Sequence, residues 1–533
     1  MDKLRTFFGG KNSLRAASLI LIVTLFISNI LGVIRDHFLT QKIPTDILSA
    51  YYAAFRIPDL VFNVLILGAI SAAFIPVFSS LLTKNKTQEA WKVASSIINI
   101  ALILLIVFCL ILWLLMPQII PFFVPGFEET KKQLTISLGR ILLISPIFFG
   151  LSYIFGAILN SFKRFIVYSL APLVYNLSII LGTLLFADRF GVWGVVWSVV
   201  AGAFLHMLIQ LPIALNLGFR WQRIIDFKNS QVRRIGILML PRAIGLGANQ
   251  ILLFIFTIIA STLSGYSVAI YNLADNIQTM PMVVFGTSFA VAIFPTLSEA
   301  YAKKDIQNFS RYIIKTMRSI IFFLVPIVAG VILLRAQIVR LILGSGHFGW
   351  EQTIETADTL AYFALSLVFT SLIPLLARAF YAFHNTKTPT IVTVATVIIS
   401  AILGKILSSS MGVAGLALAF SIGSFLNALV LYLILRTKIL LDEKNLFWFF
   451  SKVIIASFIM AVALQEGKFI AALFVNMQRF WGVLTQTTIA IVIALIIYFL
   501  LAWIFSLEEI GTLKVIFTRF TGRSIDEEKE PGR

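Results

Sequence analysis

The chain has 533 residues, of which 59% are hydrophobic and only 13% are charged, and its formal net charge is +19. Soluble proteins usually contain about 25% charged residues, so this composition excludes the soluble class and indicates a protein embedded in lipid. A basic soluble chain would suggest nucleic-acid binding, but these basic residues lie in short loops between apolar runs, as in membrane proteins, and no nucleic-acid partner is expected.

Apolar runs long enough to cross a bilayer recur along the whole chain. A spanning helix needs about 20 such residues, and about fourteen segments satisfy this requirement. No small-residue cleavage site follows the first run, so it is interpreted as a retained span and not as a signal peptide. The predicted spans are 14–34, 58–82, 93–116, 134–159, 166–187, 191–217, 235–263, 268–297, 313–334, 357–383, 389–409, 412–436, 449–471 and 483–506.

Lys and Arg are distributed unevenly between the two sides of these spans. If the N-terminus lies in the cytoplasm, the inside loops carry more than twice as many basic residues as the outside loops. Cytoplasmic loops of membrane proteins are enriched in Lys and Arg, so this orientation is favoured. An even number of spans then places both termini in the cytoplasm.

Two pairs of segments indicate an internal repeat. Residues 191–208 match residues 412–429 in their G-V-x-G start and G-x-F-L-x-x-L end, 221 positions apart. Residues 72–84 match residues 291–303 through Pro, Ser and Lys, 219 positions apart. A repeat of six helices keeps the same orientation in both copies and builds transporters with a central cavity. The predicted division is 1–218 and 219–437 for the two six-helix lobes, 438–510 for two additional helices, and 511–533 for a cytoplasmic tail.

Ionisable side chains inside a span are unfavourable, by about 2.5–3.5 kcal/mol at its centre, and usually face a cavity or a partner. Arg35 and Asp36 end the first predicted span, where an interfacial helix end with a snorkelling arginine is an equally good interpretation. Snorkelling is also an alternative for Arg242, and a structural ion pair is one for Asp275. His206 is better explained by a hydrogen bond between helices than as a proton carrier. The candidate site residues are Arg35, Asp36, Arg56, Arg242, Asn249, Asp275, Asn276 and Arg378.

The sequence contains no nucleotide-binding loop and no metal-binding motif. Its single cysteine, Cys109, lies in an apolar run, so neither an internal disulfide nor a reactive role is expected. The loops are too short for a soluble catalytic domain. We therefore expect a transporter and not an enzyme, without a cofactor, driven by an ion gradient, the membrane potential or consumption of the substrate.

Several longer motifs resemble the MurJ (MviN) family, the lipid II flippases of bacterial peptidoglycan synthesis. The first is the G-x-x-R-D of residues 32–36, and the order and spacing of the others agree along nearly the whole chain. They read AAFRIPD (53–59), GAISAAFIPVF (68–78), GAILNSFKRF (156–165) and RAFYAFHNTKTP (378–389).

The resemblance implies an all-α polytopic fold of the multidrug/oligosaccharidyl-lipid/polysaccharide exporter superfamily. In that fold two parallel six-helix lobes surround a V-shaped cavity, and two extra C-terminal helices form a groove for a lipid tail. It implies a flippase of the bacterial inner membrane that moves lipid II, with membrane lipids and cell-wall synthesis or division proteins as partners. Arg35 would then help to hold the pyrophosphate, because its planar fork pairs with phosphate oxygens, and Asp36 would orient it.

The sequence departs from the family pattern at several charged positions. Many members carry a charge where this chain has Asn29, Ser49, Phe62, Leu67 and Asn276. Acids are lost together with arginines, and paired losses are less damaging than an unpaired buried charge. The departures leave alternatives open: a flippase for another polyprenyl-pyrophosphate glycan, a non-transporting scaffold of the cell-wall machinery, or an exporter of small molecules.

Overall fold

The computed structural model describes residues 14–67 and 70–511, with the backbone alone at 14–22, 67, 70–73, 236 and 238–249. Within this part of the chain the secondary structure is helical throughout, so the predicted all-α class is confirmed. The first half contains α1 (Leu14–Lys42), α2 (Thr45–Val61), the π-helix π1 (Phe62–Leu67), α3 (Ile70–Thr83), α4 (Thr87–Phe123), α5 (Glu129–Leu142), α6 (Ser145–Ser161), α7 (Phe165–Phe190), α8 (Val192–Leu208) and α9 (Leu211–Asn216). The second half contains α10 (Ser230–Ser261), α11 (Ser267–Pro281), the π-helix π2 (Met282–Thr287), α12 (Ser288–Ala302), α13 (Ile306–Ile342), α14 (Trp350–Ala364), α15 (Leu367–Ala382), α16 (Lys387–Met411), α17 (Val413–Arg436), α18 (Glu443–Ala472) and α19 (Phe480–Ile504).

Eleven helices in the described residues are long and apolar enough to cross a membrane. A twelfth span is formed if α14 and α15, which meet at a bend of 42°, count as one. The predicted number of fourteen is therefore not confirmed. The two remaining predicted spans, 58–82 and 235–263, fall on α2, π1 and α3 and on α10, where residues 68–69 and several side chains are outside the description. The stretches described with their side chains there are the shorter apolar ones Phe74–Thr83 and Gln250–Ser261.

The order of the elements supports the internal repeat that the sequence predicts. The π-helices π1 and π2 are both six residues long and begin 220 positions apart, and α4 and α13 are both 37 residues long and begin 219 positions apart. Tight turns with left-handed backbone also recur in pairs, 219 to 221 positions apart. These pairs are Asn85 with Lys304, Lys163 with His384, and Gly191 with Gly412.

The chain packs into two compact units, each built from segments distant in sequence. Among the described residues, the first comprises those up to Met280 together with Ile342–Phe363 and Thr390–Gly423, and the second comprises Pro281–Leu341, Ala364–Pro389 and those from Ser424 onward. In the second unit α18 and α19 lie side by side against α13, and the Tyr498 hydroxyl donates to the Phe322 carbonyl at 2.6 Å. The lobe boundaries at residues 218 and 437 stay a prediction.

Substituting Gly286 with alanine should lower the thermal unfolding temperature of the purified chain. Gly286 lies in π2, and an added Cβ would come within 2.5 Å of the Ser371 Cβ and 2.7 Å of its Cα. Such overpacking costs about 1–3 kcal/mol. Gly330 in α13 has no atom within 4 Å of an added Cβ, so Gly330→Ala is the matched control and should leave the unfolding temperature unchanged or raise it. Equal unfolding temperatures for the two variants would contradict this packing.

Candidate functional site

Arg35 and Asp36 lie inside α1 and not at its end. The apolar run stops at Ile34, but the helix continues to Lys42, so the interpretation of this pair as a helix end is wrong. The Asp36 side chain is 3% exposed and that of Arg35 is 21% exposed. The helix continues past the apolar run because its charged residues are paired with each other and with neighbouring helices.

The Asp36 carboxylate joins three helices. Its Oδ1 accepts hydrogen bonds from Arg35 Nε at 3.0 Å and Nη2 at 2.9 Å, and the Tyr52 hydroxyl of α2 is 3.5 Å away. Its Oδ2 accepts a hydrogen bond from Asn276 Nδ2 of α11 at 2.8 Å. The structure therefore brings together three of the predicted site residues and adds Tyr52.

Asn176 of α7 holds the other side of the Arg35 guanidinium. Its Oδ1 accepts from Arg35 Nη1 at 3.4 Å, and its Nδ2 donates to the Ser28 Oγ at 3.2 Å. The sequence analysis missed Asn176 and Tyr52. The available signal for Asn176 was a lone amide within the apolar helix α7.

These residues open into a cavity of about 200 Å³ in the first compact unit. Amide, hydroxyl and charged groups dominate its described lining. The lining residues are Ser28, Asn29, Gly32, Val33, Arg35, Asp36, Asn176, Asn276 and Thr279.

Arg56 belongs to a separate cluster in the same unit. It lies inside α2, two residues before the start of the predicted span 58–82. Its Nε donates to the Thr257 Oγ1 at 3.1 Å, and its Nη2 donates to the Asn272 Oδ1 at 2.6 Å. Arg56 thus holds α2 against α10 and α11 and is not among the described residues that line the cavity.

The remaining predicted residues are not part of the described lining. Asp275 Oδ1 accepts a hydrogen bond from Gln278 Nε2 within its own helix at 2.9 Å. Arg378 lies in the second compact unit, and its Nη1 is buried without a hydrogen-bond partner among the described residues. Arg242 and Asn249 lie on α10, but their side chains are outside the described residues.

At several positions where many family members carry a charge, this chain has a neutral side chain that makes uncharged contacts. The Asn29 amide donates to Leu25 in its own helix, and the Ser49 hydroxyl accepts from the Ala269 backbone N–H at 3.0 Å. The Phe62 ring lies against Phe149, with ring centres 5.1 Å apart. The Leu67 side chain lies outside the described residues. At the fifth position Asn276 binds Asp36, so at least three of these positions keep a hydrogen-bonding role without a charge.

A family profile described as "Lipid II flippase MurJ" matches residues 45–485, which is most of the chain. The chain belongs to the MurJ family. A "Probable lipid II flippase MurJ" of Rickettsia prowazekii is 28% identical over 78% of the chain and 82% of the relative. The "Lipid II flippase MurJ" of Burkholderia cenocepacia is 26% identical over 77% of the chain and 82% of the relative.

Solved structures confirm the predicted MurJ-like fold. "Lipid II flippase MurJ, inward closed conformation" superposes with a TM-score of 0.75 over 95% of this chain and all of that one, at 24% identity. A multidrug resistance MATE family transporter of the MOP superfamily, in an inward-facing conformation, gives a TM-score of 0.65 over 78% of this chain and 98% of that one, at 18% identity. The chain is thus a multi-pass membrane protein of the MurJ family.

Proposed function

We propose that this protein moves lipid II from the inner to the outer leaflet of the bacterial cytoplasmic membrane by alternating access. The observation that carries the proposal is the Arg35–Asp36 pair, which faces a polar cavity inside a chain of the lipid II flippase family. Lipid II joins a pyrophosphate and a sugar–peptide head group to a polyprenyl tail. A polar path shielded from lipid lowers the barrier to its passage.

Arg35 has the donors that a phosphate group needs. A guanidinium carries five N–H groups. Asp36 accepts two of them and Asn176 accepts one, which leaves one N–H on each Nη without a partner in the described part of the chain. N–H groups of a guanidinium pair well with phosphate oxygens. Asp36 and Asn176 fix the plane of the guanidinium, so the substrate meets an oriented donor pair.

The size of the cavity indicates that it holds only part of the head group in this conformation. Pockets for drug-sized ligands occupy roughly 300–1,000 Å³, whereas this cavity occupies about 200 Å³. It must widen to admit the sugars and the peptide. The contacts of α2 with α11, Arg56 to Asn272 and Ser49 to Ala269, are the bonds that separate if this unit opens on their side.

The proposed step is transport without bond chemistry, so no catalytic residue is assigned. An ion gradient or the membrane potential is the proposed energy source, because moving one charge across 100 mV is worth about 2.3 kcal/mol. Proteins of cell-wall synthesis or division are proposed partners. Both termini are proposed to lie in the cytoplasm because of the distribution of basic residues.

Complementation tests the proposal. The chain is expressed in bacteria whose own lipid II flippase is depleted, and lipid II at the outer leaflet is measured. Rescued growth with restored outer-leaflet lipid II is the expected result. If the protein reaches the membrane but outer-leaflet lipid II is not restored, the proposal is wrong, and another polyprenyl-pyrophosphate glycan becomes the substrate to assay.

Asn176→Ala should reduce lipid II transport about fivefold while leaving the chain folded. The substitution removes the acceptor for Arg35 Nη1, and hydrogen bonds to charged groups contribute about 1.5–3 kcal/mol, with this long bond below that range. Initial rates in reconstituted vesicles give the measurement. Thr183→Ala is the control, because Thr183 lies on the same helix and its hydroxyl donates to the Ile179 carbonyl of that helix, its one hydrogen bond within the described part of the chain. Equal rates for the two variants would remove Asn176 from the site.

A further inference from the structure

The segment that links α9 to α10 contains no helix or strand and has two different faces. Residues 221–227 alternate strictly between exposed and half-buried side chains. The exposed face carries large apolar groups: Trp221 is 54% exposed, Ile225 48% and Phe227 69%. One side of this segment therefore lies against the protein and the other side faces outward. We call residues 220–228 the linker strap.

Four hydrogen bonds fix the linker strap to α4. The Asn99 Nδ2 donates to the carbonyls of Gln222 and Ile224 at 2.8 and 2.9 Å, and its Oδ1 accepts from the Trp221 indole at 2.8 Å. The Asp226 backbone N–H donates to the Ser96 Oγ at 2.9 Å. The orientation of the exposed face is therefore set by side chains of α4.

The position of the linker strap along α4 places it at the edge of the bilayer. Exposed large apolar side chains of α4 begin at Ile103 and end at Phe122. This stretch is about 28 Å long at 1.5 Å per residue, close to the hydrocarbon thickness of about 30 Å. Asn99 lies four residues before Ile103, about 6 Å beyond the hydrocarbon edge. The exposed face of the strap is thus at head-group level.

The charges of the linker strap complement an anionic lipid surface. Arg220, Arg223 and Lys228 are exposed, and the Arg223 guanidinium lies 5.6 Å from the centre of the Trp221 ring. The one acid, Asp226, turns inward, where its Oδ1 accepts from the backbone N–H groups of Lys228 and Asn229. Aromatic side chains beside Arg and Lys are the composition that binds the interface of anionic bilayers.

We propose that the linker strap is a binding surface for anionic phospholipid. Trp221, Ile225 and Phe227 enter the boundary between head groups and acyl chains, and Arg223 and Lys228 bind the lipid phosphates. The site is separate from the cavity and does not depend on the proposed transport. Because the strap follows the predicted boundary at residue 218, lipid bound there contacts the segment between the two predicted repeats.

Spin-label depth measurements test the proposal on the full chain. In a Cys109→Ser background, Ile225→Cys is labelled with a nitroxide, and its collisions with oxygen and with a water-soluble nickel complex are compared in nanodiscs. Lys84→Cys supplies the aqueous reference, and Ile106→Cys on the exposed face of α4 supplies the hydrocarbon reference. In nanodiscs with phosphatidylglycerol, the label at 225 should lie about 5–10 Å below the phosphates. An aqueous value there overturns the proposal and leaves the face open to a protein partner.

Two changes test whether binding requires an anionic lipid: one replaces the lipid of the nanodiscs, and the other removes basic side chains of the linker strap. Nanodiscs of phosphatidylcholine alone should leave the label at 225 nearer to water, and so should Arg223→Gln/Lys228→Gln in phosphatidylglycerol. The matched control is Lys84→Gln/Lys86→Gln, which removes the same charge from the turn before α4 and should change nothing. The first residue of α4, Thr87, lies 16 residues or about 24 Å before Ile103, which exceeds two screening lengths. The proposal is overturned if the label at 225 lies equally deep in the two lipids. It is also overturned if the label lies equally deep in Arg223→Gln/Lys228→Gln and in the control double variant.

A second measurement uses the unlabelled chain. Brominated phosphatidylglycerol should quench the Trp221 fluorescence, obtained as the difference between the wild type and Trp221→Phe. Brominated phosphatidylcholine should quench this component at least twofold less. Absence of quenching by both lipids contradicts the inference independently of any label.

Discussion

Replacing Arg35 with alanine should abolish growth of a strain that depends on this chain for lipid II at the outer leaflet, although the variant reaches the membrane at its normal level. The substitution removes the two N–H groups that remain for the substrate and the positive charge that the diphosphate meets. Two charge-assisted hydrogen bonds of about 1.5–3 kcal/mol each correspond to a loss of at least a hundredfold in affinity. Complementation and outer-leaflet lipid II provide the readouts.

Two further variants make this result specific to the guanidinium. Arg35→Lys keeps the charge but loses the planar fork, so it should restore only a small part of the activity. Lys303→Gln removes a positive charge from an exposed ion pair with Glu299 and should leave growth unchanged. Normal growth with Arg35→Ala would remove Arg35 from the substrate path and would shift the assignment to another cation, beginning with Arg378.

The fold was predictable because the signals for it are local. Length and hydropathy define each span, and the repeat is visible in short motifs whose spacing of 219 to 221 residues recurs in the helices, the π-helices and the left-handed turns. The number of spans was harder to predict, because hydropathy does not show where a helix changes its geometry within an apolar run. Residues 62–67 form a π-helix in place of a continuous α-helix, and no hydropathy pattern distinguishes the two.

The site was predictable in its charged members and in Asn276, which stands where many family members carry a charge. Arg35 and Asp36 stand out because charges are rare in apolar runs, whereas Tyr52 and Asn176 are ordinary residues of helices in such runs. The contact of Arg35 with Asn176 joins residues 141 positions apart and depends on how α1 and α7 pack. Packing also separates Arg56 from Arg35: one binds Thr257 and Asn272, and the other binds Asp36. The sequence names both arginines and Asp36, but not the partners Asn176, Thr257 and Asn272.

Asp36→Ala should lower the thermal unfolding temperature of the purified chain more than Arg35→Ala does. A carboxylate left without Arg35 keeps its donor Asn276, whereas a guanidinium left without Asp36 keeps a fixed charge because it cannot lose its proton. Asp36→Ala therefore leaves a fixed cation within a span and removes the acceptor of two of its N–H groups. Breaking a buried pair in this way costs about 3 kcal/mol or more. Thermal denaturation in detergent gives the order of the two variants.

The double variant Arg35→Ala/Asp36→Ala separates this electrostatic effect from lost packing. If the stranded cation is the cause, removing it as well should raise the unfolding temperature above that of Asp36→Ala alone, although one more side chain is missing. Coupling of this sign is expected for residues in direct contact and amounts to about 0.5–3 kcal/mol. Asp36→Asn should fall between wild type and Asp36→Ala, because its amide oxygen still accepts from Arg35 while the charge is lost. Additive effects of the single substitutions would show that Asp36 acts through packing alone and that Arg35 is held by Asn176 and not by the carboxylate.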